Sequence, residues 1–109
     1  MTEDINQSVM IGWTTMPTKK QAEDLVNSIM SKKLTSCAQV EGPIQSTYMW
    51  KDKMITEDEW RVCLKFPAIK AMELSEMITH VHPYETPQWV YTEVVSTRDY
   101  ADWIREVIA

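Results

Sequence analysis

The sequence predicts an α+β domain: an antiparallel four-stranded sheet with two helices on one face, followed by one more helix. Three observations predict it. Four segments are rich in β-branched and aromatic residues and alternate in polarity where they are long, as half-buried strands do. Three other segments repeat apolar residues at helical spacing. The 109 residues, 44% of them apolar, suffice for one two-layer core and are too few for two.

Taken in order, residues 1–7 are polar and acidic and read as a loose end. Val9 to Trp13 is a short apolar run and reads as a central strand. Pro17 and Thr18 open a helix, with Gln21 placed three residues after Thr18 as a capping box requires. Ala22, Leu25, Val26, Ile29 and Met30 give that helix one apolar stripe, and Lys32 and Lys33 suit its negative end. Ala38 to Trp50 is extended, with a bulge or bend at Gly42-Pro43, since proline cannot donate to a central ladder. Cys37 falls just before this strand, and Ile44, Ser46, Tyr48 and Trp50 share one of its faces.

Lys51-Asp52-Lys53 is a hairpin turn. The returning strand points Trp60, Val62, Leu64 and Phe66 one way and Arg61, Cys63 and Lys65 the other. Pro67 stops it, and Ala68 to about His80 forms a second helix with a stripe of Ala71, Leu74 and Ile78. Pro83 and Pro87 bound a rigid loop. Trp89 to Val95 is the last strand, and Ser96 to Asp99 cap a final helix carrying Tyr100, Trp103, Ile104, Val107 and Ile108. The order β-α-β-β-α-β is the split βαβ, ferredoxin-like pattern, with both crossover helices on one face. Residues 1–109 read as one domain.

Composition excludes several classes. A net charge of −5 and a pI near 4.9 oppose nucleic-acid and anionic-membrane surfaces, which reward clustered Lys and Arg. No apolar run approaches the ~18 residues of a membrane span. The acidic start lacks the basic region of a signal peptide. Two cysteines without a framework read as reduced thiols, and the expected location is the cytoplasm. Two glycines leave no phosphate cradle, and there is no Gly-x-Ser-x-Gly elbow. A Cys37–His82 nucleophile pair lacks an orienting motif, so no enzymatic activity is expected. Five tryptophans in so short a chain point to a subunit interface.

His80 to Pro87 is the most unusual segment. It holds both histidines, and two prolines pin the backbone around Tyr84 and Glu85. Imidazole and carboxylate bind borderline divalent cations. The plainer alternative is a helix-ending loop with a hydrogen-bonded His82 and a solvated Glu85. Cys37 could act as a soft ligand for copper(I) or zinc, or simply be buried. Glu57-Asp58-Glu59 reads as a solvated turn that could supply carboxylates.

Thr14-Thr15, Cys37-Ala38, Tyr48-Met49-Trp50, Lys65, His82-Pro83-Tyr84-Glu85-Thr86-Pro87, Tyr100 and Trp103 stand in order along the chain. With this set the sequence resembles the CutA family of divalent-cation tolerance proteins over about residues 8–107. The resemblance implies a ferredoxin-like subunit in a homotrimer whose sheets join edge to edge. It also implies a part in tolerance of divalent metals such as copper, with metal ions (Cu, Zn) bound by some members and no organic cofactor. Two readings follow. In the first, clefts between subunits bind metal through Cys37, His82 and Glu85. In the second, a PII-like signalling or scaffold trimer binds a small metabolite or partner protein in a cleft lined by Trp50, Lys65, Tyr84 and Glu85. Either way the His82–Glu85 loop is expected to face a cleft shared with a neighbouring subunit, near Lys65 and Trp50. The chain departs from the family pattern at Asp52, where glycine is usual in the turn, at Phe66 after Lys65, and at Thr14 and Met77, where some members carry cysteine.

Overall fold

Four strands and three helices occur in the expected order in the computed structural model, which describes residues 7–109. They are β1 (Ser8–Met16), α1 (Lys19–Ser31), β2 (Cys37–Trp50), β3 (Lys53–Phe66), α2 (Ala71–Val81), β4 (Val90–Val95) and α3 (Arg98–Glu106). The loose end expected over 1–7 lies outside the described residues except for Gln7, whose carbonyl accepts from the Ser96 N–H at 2.8 Å. The sheet order is β2-β3-β1-β4, with every neighbouring pair antiparallel. This is the ferredoxin-like arrangement, and it leaves β2 and β4 as edges.

The two-residue period of the strands sorts the core. Val62, Leu64 and Phe66 of β3 and Met16 of β1 are buried against Ala22, Leu25 and Ile29 of α1 and Leu74 and Ile78 of α2. The opposite face carries a smaller cluster, in which Val9 packs against Ala101 and Ile104 of α3, with Cys37, Val94 and Tyr100 around it. The third helix therefore covers part of the face that the two longer helices leave open.

Several boundaries differ from those expected, each for a local reason. Cys37 is the first residue of β2 rather than its forerunner, because Ser36 is already tied to the sheet: its N–H donates to the Lys65 carbonyl at 3.1 Å. Ala68–Lys70 is a 3-10 turn and α2 proper begins at Ala71. The last strand starts at Val90, so Trp89 precedes it. The last helix ends at Glu106, before Val107 and Ile108, and its cap Thr97 makes no side-chain bond. At α1 the Thr18 hydroxyl accepts from the Gln21 N–H at 3.1 Å. That same hydroxyl donates to the Gln21 side chain at 2.8 Å, a variant of the expected box.

The β2–β3 hairpin carries one irregularity, a register shift between Glu41 and Ile44 at the expected Gly42-Pro43. Two β2 residues there oppose Trp60 alone, and a side chain at Gly42 would meet its ring at 2.6 Å. At the tip, Lys51 and Asp52 both have positive φ, 50° and 65°, as a two-residue type I′ turn demands. Asp52→Gly should raise the urea midpoint by the equivalent of about 0.5 kcal/mol, relief of left-handed strain being partly offset by a freer unfolded chain. The hairpin lengthens the molecule to 50 × 31 × 22 Å. Its radius of gyration is 15.2 Å, against about 13 Å for a compact chain of this length.

Candidate functional site

The histidine loop begins where α2 stops. His82 precedes Pro83, which pushes it out of helical geometry, and its backbone is extended with ψ 137°. Its side chain turns inward and is buried. Nε2 lies 2.8 Å from the Thr15 carbonyl oxygen and 3.2 Å from the Thr14 hydroxyl, while Nδ1 accepts from the Tyr84 N–H at 3.2 Å. The neutral tautomer with hydrogen on Nε2 satisfies this network. Both nitrogens are therefore occupied, and His82 clamps the loop to the end of β1 instead of offering a lone pair to a metal.

Burial holds the His82 pKa below its ordinary value of 6.5, outweighing the raising effects of the Thr15 carbonyl and of Glu59. The unfolded chain then takes up a proton at a higher pH than the folded one. The neutral ring's contribution to stability is complete above about pH 6.5 and declines as pH falls through that value towards the lower folded one. Urea midpoints measured from pH 8 to 5 should fall, and His82→Asn should flatten that fall. An identical slope in the variant would overturn the assignment.

Tyr84 is set by this clamp. Its ring lies 4.9 Å from that of His82, and its hydroxyl donates to Glu59 Oε2 at 2.8 Å. Burial first, and then the Glu59 carboxylate, push the phenol above the ordinary tyrosine range. Glu59 is 6% exposed and lies within β3, so Glu57-Asp58-Glu59 is strand rather than solvated turn. The turn is two residues long, which carries the acidic run down into the ladder.

Between the hairpin and the loop lies a pocket of about 720 Å³. Tyr48, Trp50, Ile55 and Glu57 form the hairpin wall, Tyr84 and Glu85 the loop wall, and Thr15 and Glu59 also line it. Among the described residues no Lys, Arg or His lines it. Burial and the neighbouring Glu57 raise the Tyr48 phenol pKa, so it stays protonated. A second cavity, of about 610 Å³, is lined by Val9, Met10, Ile69, Arg105 and Ile108 and holds none of the expected site residues.

Of the six residues singled out in the sequence, Trp50, Tyr84 and Glu85 meet in the pocket. His82 stands behind it. Cys37 and Lys65 lie elsewhere, directly opposite each other in the β2–β3 ladder. Lys65 donates to Gln39 at 3.1 Å and sits 6.0 Å from the Tyr100 ring centre. Within one chain the loop is thus not beside Lys65. Lys65 is the next-to-last residue of β3, just before α2 starts, whereas His82 follows the far end of α2, which has run back along the sheet. Nor are Cys37, His82 and Glu85 brought together: no three His, Cys, Asp or Glu side chains converge on a metal-sized site among the described residues. Glu59 and Thr15 were not singled out for the pocket. Their only signals were a carboxylate at an interior strand position and a polar pair at a strand end.

Residues 10–107 match the family described as CutA1 divalent ion tolerance protein. The divalent-cation tolerance protein CutA of Thermotoga maritima is 29% identical over 101 residues, covering 92% of this chain and 99% of that one. Among solved structures, CutA1 of Ehrlichia chaffeensis superposes with a TM-score of 0.88 at 25% identity, covering 93% of this chain and 95% of that one. CutA1 of Pyrococcus horikoshii gives a TM-score of 0.85 at 30% identity, covering 89% and 95%.

Proposed function

The chain belongs to the CutA1 divalent ion tolerance family, and on that premise we propose that it is a non-catalytic cytoplasmic homotrimer that holds divalent cations at the hairpin pocket. One observation carries this reading: three carboxylates, Glu57, Glu59 and Glu85, line a single pocket without a lining cation. Oxygen donors suit hard and borderline divalent ions. One chain does not supply three convergent ligands, so a neighbouring subunit would complete the shell.

Assembly has its own support. The hairpin reaches away from the body and bares Met49 and Met54, while edge strand β4 bares Val90, Tyr91 and Val95. Unpaired edges and exposed apolar side chains invite partners, and a trimer covers each subunit's two edges by one repeated contact. Sedimentation should give three times 12.7 kDa, and a stable monomer at micromolar concentration would overturn the assembly.

Cation binding is tested by titrating zinc, manganese and copper(II) ions against Trp50 fluorescence and heat. Glu57→Gln and Glu85→Gln should each weaken binding at least tenfold, about 1.4 kcal/mol, with the trimer intact. Wild-type affinity in both variants would overturn the pocket assignment. A second reading rests on the pocket's aromatic walls and on a volume within the range of small-molecule sites. There the ligand is a small organic molecule, neutral or cationic, because Lys65, the cation an anionic metabolite would need, lies outside the pocket. Saturation of the metal-free protein by such a molecule would favour it.

A further inference from the structure

The hairpin pocket holds its carboxylates apart. Glu57 and Glu59 are two residues apart on β3, which places them about 7 Å apart along the strand. Glu85 belongs to the loop wall. Among the described residues no three such groups converge on a metal-sized point. The same lining carries the rings of Tyr48, Trp50 and Tyr84. Both hairpin rings are left partly bare, Tyr48 38% and Trp50 37% exposed, so aromatic surface remains for a ligand to cover. Trp50 already draws a cation, since the Lys51 ammonium lies 5.8 Å from its ring centre. Glu59 is buried, and its Oε2 accepts from the Tyr84 hydroxyl at 2.8 Å. An ionised carboxylate has about four lone-pair sites, so Glu59 keeps acceptors for a further donor.

We propose that the hairpin pocket binds a linear aliphatic polyamine, with its ammonium groups on Glu57, Glu59 and Glu85 and its methylene chain along the rings of Tyr48, Trp50 and Tyr84. The inference rests on the second reading above, in which the pocket takes a small organic molecule, and it names the class of that molecule. A metal ion needs its oxygen donors gathered around one point, about 2.0–2.6 Å from it. A polyamine instead carries its charges to separated acceptors. Its ammonium groups are spaced by three or four methylenes, an interval comparable with that between Glu57 and Glu59. Each ammonium donates charge-assisted hydrogen bonds to a carboxylate. The methylenes beside it bury apolar area on the rings, and the charge itself is attracted to their faces. A volume of about 720 Å³ far exceeds one ion and suits a small organic molecule. Anionic ligands are repelled, because among the described residues no Lys, Arg or His lines the pocket.

A chain of net charge −5 gathers any polycation loosely, so the experiment separates the pocket from that atmosphere. Metal-free full-length protein is titrated with spermidine by calorimetry at about 0.15 M salt, where loose attraction between exposed charges is largely screened. Saturation at one equivalent per chain is expected. The uncharged chain 1,8-octanediol should bind at least tenfold more weakly. Glu57→Gln and Trp50→Leu should each weaken spermidine at least tenfold, whereas Glu23→Gln, exposed on α1, should bind it as wild type does. Glu57→Gln preserves side-chain shape, so it tests the site even if Trp50→Leu disturbs the hairpin. Octanediol binding as tightly as spermidine would overturn the polyamine and leave the organic reading standing. Saturation by neither would overturn both. Wild-type spermidine affinity in Glu57→Gln, or an equal loss in Glu23→Gln, would show the ion atmosphere alone and overturn the proposal.

Discussion

Gly12→Ala should cost about 3 kcal/mol of stability, at the upper end for one added methyl group in a packed core. Gly12 lies in β1 between Leu64 of β3 and Tyr91 of β4, and the Trp89 ring lies directly over it. A Cβ at this position would stand 2.4 Å from Trp89 Cη2 and 2.8 Å from Cζ3, well inside contact distance. The indole has little room to retreat. Its Nε1–H donates to the Ser75 hydroxyl at 2.8 Å, and its ring packs 6.0 Å from Phe66 and 5.6 Å from Tyr91. The measurement is the urea midpoint at constant slope. Trp89→Leu in the same chain should recover part of the loss, so that the double variant is more stable than the two single losses predict by addition. A Gly12→Ala loss below 1 kcal/mol would show that the ring moves aside.

The second large effect is at Tyr84. Tyr84→Phe should destabilise the fold by about 2 kcal/mol, because it strips a buried carboxylate of a hydrogen bond. Glu59 is almost fully covered, and its Oε2 takes the Tyr84 hydroxyl at 2.8 Å. The phenyl ring would still pack on His82, so loss of the bond is isolated from loss of the contact. Glu59→Gln supplies the control: a neutral amide left short of a partner costs less than a carboxylate. Tyr84→Phe should therefore be milder in a Glu59→Gln background, and equal costs in both backgrounds would overturn the account. Fluorescence of Trp50, across the same pocket, reports whether the wall has shifted.

The elements were legible in the sequence because each is encoded over a short range. Thr18 and Gln21 mark the start of α1, the stripe from Ala22 to Met30 gives its buried face, and the alternation from Trp60 to Phe66 sorts β3 into core and outer sides. The hairpin wall of the pocket was legible too, since Tyr48 and Trp50 share a phase. The role of His82 was not. Its partners, Thr14 and Thr15, lie 68 and 67 residues earlier, and no local pattern says which atoms an imidazole will meet. Glu59 failed for a related reason: an acidic triplet close to a turn reads as solvated until the length of that turn is known. Within one chain Lys65 stands apart from the loop, because the direction in which α2 returns along the sheet decides which strand ends meet.

The irregularity between Glu41 and Ile44 sets a parity. Because one surplus residue sits there, the half of β2 from Cys37 to Glu41 is in the opposite phase to that an unbroken ladder would give it. Were the strands to pair straight through Gly42 and Pro43 with no residue left over, Cys37 would face Phe66 in the core, Ala38 and Val40 would turn out to water, and Gln39 and Glu41 would be driven under the helices. Everything between Ile44 and Glu59 would keep its pairing. Length changes in this chain are thus unequal in consequence. One residue more or less at the tip of the hairpin alters a turn. Loss of one residue at Gly42-Pro43 straightens the ladder and leaves Glu41 opposite Arg61 and Cys37 opposite Lys65, so the irregularity takes up one residue of length without changing which side chains the interior receives.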